Sequence, residues 1–286
     1  MNAVIVTADD FGLSTEVNEA VEEAHRNGIL TCASLMVGAA AAEGAVAIAR
    51  RLPTLKIGLH LVLVEDVPIL PAQRIPSLVD SAGRFRRDLV RAGTGMFVSP
   101  KTKRQLAAEI TAQFEAFRST GLALDHVNAH KHYHLHPTVA SLLFAIGPRY
   151  GMRALRIPSE PAAVISAIEP AAATAARAAV ALWSNLLGRR ARRRDLLVPD
   201  QVFGLAWSGA MTGARLRGVL SHAPDGVTEI YTHPATTGGF PGHAPGYSYA
   251  EELAGLTAPE TRDLVERLAL RLCSFSGLGA GTAGLS

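Results

Sequence analysis

Apolar runs of strand length take turns with helical patterns along this chain from its third residue onward, and no other feature restricts the fold as much. Runs at 3–8, 30–37, 55–63, 123–128, 153–157 and 227–232 read as strands. Between and after them, helical spacing marks 15–27, 40–51, 102–119 and 258–273. The first helix carries its own boundaries. Ser14 can cap its start, Val17, Ala20, Val21 and Ala24 line one face, and Asn27-Gly28 ends it. Strands separated by helices pair in parallel, which predicts an α/β fold whose sheet is open or closed into a barrel. Side chains that do chemistry should then gather at the C-terminal ends of the strands.

With 286 residues and 48% apolar content, the chain can build one such domain with a sizeable core. The reading is a single domain over 1–286, with an alanine-rich, helix-prone basic insertion around 161–195 and a Gly/Ala-rich tail at 276–286 expected to be mobile. A second irregular stretch, the Gly/Pro-rich "ATTGGFPGHAPGYSY", covers 235–249. The formal charge is only +3, and its densest cluster is "RRARRR" at 189–194. Without aromatic-basic interleaving or zinc-finger spacing, nucleic acid is not the expected partner. Cys32 and Cys273 lie far apart and imply no disulfide framework. No basic-then-apolar leader opens the chain, so the expected location is the cytoplasm.

The opening strand, within "VIVTADDFGLS" at 4–14, ends in two adjacent carboxylates, Asp9 and Asp10. Like charges that close repel, more so when partly buried, and need water or a cation between them. "KIGLHLVLV" at 56–64 places His60 inside an apolar strand, where a core histidine is the plain alternative. "LDHVNAHKHYHLHP" at 124–137 holds His126, His130, His132, His134 and His136, and a strand ending near Asn128 presents His130 at its edge. One carboxylate with two imidazoles suits Zn²⁺, Ni²⁺, Co²⁺ or Fe²⁺ and leaves positions open for water and substrate. The second carboxylate is then free to act as a general base. His233, in "EIYTHPATTGG", follows a strand and could protonate a leaving amine, or be a surface loop histidine. Arg156, in "LRIPSE", could pair with Asp9 and keep it ionised, or face solvent.

Together "TADDFG", the "GLH" strand, "DHVNAHKHYHLHP" and "YTHPA" resemble the YdjC-like carbohydrate deacetylases. The resemblance implies a distorted (β/α) barrel, similar to polysaccharide deacetylases, and a metal-dependent N-deacetylase acting on an N-acetylglucosamine amide. Carried over by position, Asp10, His60 and His130 would hold a divalent metal, zinc first, with magnesium, nickel or cobalt as alternatives. Asp9 would be the base, His233 the proton donor and Arg156 a brace for the catalytic aspartate. Where family members often read Asp-Ser before the metal histidine, this chain has Asn128-Ala129. Within the family, "VTADDFGLSTEVNEAVEEAHRNGILTCASLMV", "IGLHLVLVEDVPIL" and "PDQVFGLAWSGAMT" look most like the hopanoid biosynthesis-associated branch. That implies a glycolipid substrate, an N-acetylglucosaminyl hopanoid.

The segment 161–194 bears on such a substrate. Val164, Ile165, Ile168, Val180, Leu182, Trp183, Leu186 and Leu187 precede Arg189, Arg190, Arg192, Arg193 and Arg194. An apolar helix with a tryptophan near a basic end suits peripheral contact with the inner membrane. A hairpin packed on the barrel, broken at Pro170, is the alternative. Three other functions compete: a deacetylase of soluble chito-oligosaccharides, a non-catalytic lipid- or sugar-binding protein, and, with least support, a metal-dependent phosphoesterase.

Overall fold

The computed structural model describes residues 2–172 and 175–279. Strand β1 (Ala3–Phe11) leads through helix α1 (Thr15–Asn27) to β2 (Cys32–Leu35), α2 (Ala42–Arg51) and β3 (Lys56–Leu61). A long excursion carries α3 (Leu89–Val98) and α4 (Pro100–Ser119) before β4 (Leu124–Ala129). Then follow α5 (Pro137–Ile146), α6 (Ala162–Ile168), α7 (Ala175–Arg192), β5 (Gln201–Phe203), α8 (Gly213–His222) and β6 (Val227–Thr232). The chain ends its described part with α9 (Tyr249–Thr257), α10 (Pro259–Arg267), the two-residue β7 (Arg271–Leu272) and α11 (Phe275–Gly279).

Every ladder between these strands is parallel, and the strands lie in the order β4-β3-β2-β1-β6-β5, with β7 beside the start of β1. Parallel strands need crossovers and bury both faces. β1 obeys this, since all nine of its residues are buried. The run at 153–157 forms no regular strand. Instead, isolated bridges join Leu155 to Val127 of β4 and Ser159 to Val202 of β5. One irregular segment thereby spans the two edges of the sheet, and the wall curls into the expected distorted barrel.

Ser14 caps α1 by accepting a hydrogen bond from the Val17 N–H, and Val17, Ala20, Val21 and Ala24 are buried as their spacing predicts. The last helix is shorter than its pattern. It stops at Arg267 because Ala269 takes a left-handed φ of 49° and sends Arg271–Leu272 into the sheet. Of the expected mobile tail, residues 276–279 lie in α11, where the Ser276 hydroxyl and N–H both donate to Asp125. The rest of the tail is outside the described residues.

Candidate active site

Asp9, Asp10, His60, His130 and His233 all stand at the C-terminal ends of strands or just beyond them. Alternation along a strand would send Asp9 and Asp10 to opposite faces. Two local irregularities prevent that. The β1–β2 register shifts between Ala8 and Phe11, so β1 carries an extra residue, and Asp10 adopts φ 60°. Asp tolerates this left-handed backbone better than most residues.

Asp10 Oδ1 lies 3.2 Å from His60 Nε2 and 3.1 Å from His130 Nδ1. The outer nitrogen of each ring faces an acceptor. His60 and Asn128 are directly opposed across the β3–β4 ladder, and the His60 Nδ1–H donates to Asn128 Oδ1 at 2.7 Å. His130 Nε2 lies 3.5 Å from Glu65 Oε2. These outer contacts turn a lone pair of each ring toward Asp10. His60 Nε2 is buried with no hydrogen-bond partner among the described residues. A bare lone pair beside a carboxylate oxygen is repulsive unless a positive charge sits between them.

Ligand atoms from Asp10, His60 and His130 all fall within 4.8 Å of one another. A tetrahedral ion with bonds of about 2.1 Å separates its ligands by roughly 3.4 Å, close to the spacings seen here. The three side chains therefore fit a divalent cation. Burial alone would lower the His130 pKa, but Asp10 and Glu65 draw a proton to it and raise the value to about 9. Asp10 is held well below its usual value, burial being outweighed by His130 and His60. A field that attracts a proton so strongly attracts a metal cation as well.

Asp9 takes no part in that group. Its Oδ2 accepts from Arg156 Nη1 at 2.5 Å and its Oδ1 from Asn128 Nδ2 at 3.0 Å. Burial would raise its pKa, but Arg156, His60 and His233 together hold the carboxyl far below the ordinary range. Arg156 is itself fully buried, donating from Nε to Glu229 Oε1 at 2.8 Å, with its guanidinium 4.6 Å from the Tyr231 ring centroid. The structure thus brings Arg156 to Asp9 and ties both to a second carboxylate, Glu229.

Asn128 is the junction of the site. Besides Asp9 and His60 it reaches Ser34, whose Oγ accepts from Asn128 Nδ2 at 2.9 Å and lies 3.0 Å from His126 Nε2. His126 Nδ1 faces Asp125 Oδ2 at 3.1 Å, and the ring stacks on Phe275 at 4.4 Å. A continuous polar column therefore runs from Asp125, beneath α11, up to the Asp9 carboxylate. Gly58 leaves space for it, since a Cβ there would collide with the His126 ring. Cys32, Asp125 and His126 also lie within metal-ligand reach of one another. Their polar contacts are directed to one another and to Thr31, Ser34 and Ser276, so they form a pillar under the site.

His233 is buried, and its Nδ1 has no partner among the described residues. Burial lowers its pKa despite the opposing pull of Asp10 and Asp9. Its backbone N–H donates to Glu252, a carboxyl that also accepts from the Met211 N–H at 2.8 Å. The remaining histidines stay apart from the metal candidates. His132 Nε2 pairs with the Tyr231 hydroxyl at 2.7 Å, His134 is fully buried with neither ring nitrogen partnered, and His136 accepts from the Thr138 N–H.

Burial raises the Glu252 pKa to about 7. The folded protein therefore holds this proton more tightly than the unfolded chain, and the resulting stability, fully present below about 4.5, is lost as pH rises through 7. The span corresponds to about 3 kcal/mol. Glu252→Gln should flatten that part of the pH dependence, which urea unfolding at pH 5 and pH 8 would measure.

A cavity of about 350 Å³ opens over Asp10 and His130, with Glu65, Lys131, Tyr247 and Tyr249 among its walls. Glu65, Ser34 and Glu229 join the site without being among the residues that the sequence marks. Glu229 shows the same signal as His60, an ionisable residue inside an apolar strand; Glu65 lies in a loop with no pattern to mark it.

A curled parallel sheet with an N,N,O donor set and a separately braced carboxylate at its C-terminal edge defines a candidate mononuclear metal centre of the hydrolytic kind. The chain belongs to the YdjC-like protein family, whose profile matches residues 3–267. It is 33% identical over 283 residues to a carbohydrate deacetylase of Brevibacillus brevis, covering 96% of this chain and 99% of the relative. A human carbohydrate deacetylase is 32% identical over 316 residues, covering 98% and 92%. Among solved structures, a protein of Enterococcus faecalis described as a candidate for cellobiose-phosphate cleavage superposes with TM-score 0.77 at 25% identity, covering 97% of this chain and 99% of that one.

Proposed function

We propose that this protein is a metal-dependent N-deacetylase that hydrolyses the acetamide of an N-acetylglucosaminyl hopanoid, giving the glucosaminyl lipid and acetate. The deacetylase relatives make it a hydrolase acting on an acetyl amide of a carbohydrate. The single observation that carries the site assignment is the separation of two adjacent aspartates, Asp10 onto His60 and His130 and Asp9 onto Arg156. The hopanoid as substrate rests on the sequence likeness of residues 6–37, 57–70 and 199–212 to that branch of the family.

Asp10, His60 and His130 would hold the ion, zinc first on the donor chemistry. Bound there, a divalent ion supplies Lewis-acid polarisation of a carbonyl and a more acidic water. Asp9 is kept ionised by Arg156 and accepts the proton of the attacking water. Asn128 fixes both Asp9 and the His60 tautomer with one amide. His233 rests neutral, so a proton that it delivers to the leaving nitrogen is one that the reaction has released. The walls of the cavity, with Glu65, Asp66, Arg84 and Arg87, suit a sugar ring. That polarity also favours the second reading, a deacetylase of soluble chito-oligosaccharides.

Peripheral membrane contact belongs to the first reading. No helix among the described residues is long and apolar enough to cross a membrane. Acetate release from N-acetylglucosaminyl hopanoid and from diacetylchitobiose, with and without chelator, tests the proposal. The lipid should turn over faster, and chelation should abolish release from both until zinc is restored. Full activity after chelation would overturn the metal role, and preference for diacetylchitobiose would overturn the lipid.

A further inference from the structure

Helix α3 presents its apolar side chains outward. Leu89, Val90, Phe97 and Val98 are exposed, Val90 by 80% and Val98 by 65%, whereas only Ala92 and Met96 are buried. Successive turns put Leu89, Val90, Thr94, Phe97 and Val98 on one side of the helix. A helix belonging to the core of a globular domain shows the reverse arrangement. Gly93 and Gly95 also make it a poor helix on propensity alone.

The flanks of this face are cationic. Residues 86–104 contain Arg86, Arg87, Arg91, Lys101, Lys103 and Arg104 against a single acid, Asp88. Arg87, Arg91, Lys101 and Arg104 are exposed. Exposed aliphatic and aromatic side chains flanked along the chain by cations, with Lys103 over the Phe97 ring, complement an anionic bilayer: the apolar groups enter the acyl boundary and the cations meet headgroup phosphates. The face also adjoins the reaction site. A cavity of about 550 Å³ between α3 and residues 131–136 is lined by Leu89, Val90, Phe97 and Lys131, and Lys131 also lines the cavity over Asp10.

The segment singled out from sequence is arranged differently. Val180, Leu182 and Leu186 of α7 are exposed. Its tryptophan, however, turns inward, with the Trp183 indole N–H donating to the Leu135 carbonyl at 2.8 Å. Arg190 and Arg194 lie over the Phe144 ring. The aromatic and cationic groups that would mark an interfacial helix are partly consumed by packing.

We infer that α3 and its cationic flanks form a docking face for an anionic lipid surface, holding the mouth of the catalytic cavity against the membrane. The docking stands apart from the deacetylase reading; only the entry of a lipid-linked acetamide through that mouth rests on it. The test is flotation of the full chain with phosphatidylcholine vesicles, with and without phosphatidylglycerol. Wild type should bind the anionic vesicles, less so at high salt. Val90→Asp with Phe97→Asp should weaken that binding about tenfold or more while shifting the unfolding midpoint little, since Val90 is exposed and Phe97, more than half exposed, gives up only contacts with His136 and Lys103. Leu182→Asp with Leu186→Asp should bind as wild type.

Wild type that ignores anionic vesicles would overturn the inference. So would an α3 variant that binds like wild type, or loss of binding in the α7 variant alone. If size-exclusion chromatography instead shows a wild-type dimer that the α3 variant dissociates, with vesicle binding unchanged, the face belongs to a second copy of the chain and the inference fails. The readout needs no turnover, so it succeeds or fails independently of any acetate assay.

Discussion

Exchange of Asp9 for asparagine should slow acetamide hydrolysis about a thousandfold, roughly 4 kcal/mol of transition-state stabilisation, with the metal content unchanged. The change preserves side-chain shape and leaves Asp10, His60 and His130 intact. It removes the carboxylate beside the metal candidates that neither His60 nor His130 engages directly. An amide cannot take up the water's proton. Its N–H group must also face Arg156 or Asn128, both of them donors, so the variant should unfold at lower temperature. Rates are therefore compared well below that transition, alongside metal analysis. A variant that keeps its ion and works within tenfold of wild type would remove Asp9 from the chemistry.

Arg156→Leu should act on stability first. Arg156 is fully buried between Asp9 and Glu229, and its loss leaves two carboxylates without their counter-charge. Breaking a buried pair in this way costs about 3–5 kcal/mol. The sign of the pH dependence follows from Asp9. Its depressed pKa contributes stability above the unfolded value of 3.8, and that contribution is lost as pH falls through the folded value. Without Arg156 the contribution is absent at neutral pH, so the deficit is largest there and shrinks toward acid. Urea unfolding at pH 7 and at about pH 2.5, below the unfolded value, should show this narrowing, and the acid limb of the rate profile should move to higher pH. An equal deficit at both values would mean that Arg156 does not hold Asp9 ionised.

The part of the site that sequence made legible is the part where chemistry conflicts with its surroundings. Paired aspartates ending an apolar strand, and a histidine inside another, are costly enough to need a reason, and the structure brings Asp10, His60 and His130 together. Arg156 was legible as a partner of Asp9, though its segment proved to be bridging backbone rather than a strand. The supporting shell was harder to see. Ser34 is one small polar residue in a short strand, and Glu65 gains its place from a loop with φ 69°. Neither leaves a period or a spacing to read.

Helices were legible where the apolar stripe faces inward, as in α1, whose start cap was also correct. α3 is not legible in the sequence because its stripe faces outward and two glycines interrupt it. The helix expected over 258–273 was overextended because its apolar pattern continues through Leu268 and Leu270 into a strand. Periodicity does not register a single left-handed residue such as Ala269.

Left-handed backbone recurs in the cavity wall at Asp10, Glu65 and Lys131, none of them glycine, and continues into the adjoining His132. Each such residue costs about 1–2 kcal/mol relative to relaxed backbone. The surrounding barrel absorbs that cost when it folds, before any ion or sugar arrives. The pocket is thus shaped in advance, and an incoming ligand need not reorganise the main chain to find its contacts. The same residues should be the first to relax when the barrel loosens, so catalytic competence should fade on warming before the sheet itself melts.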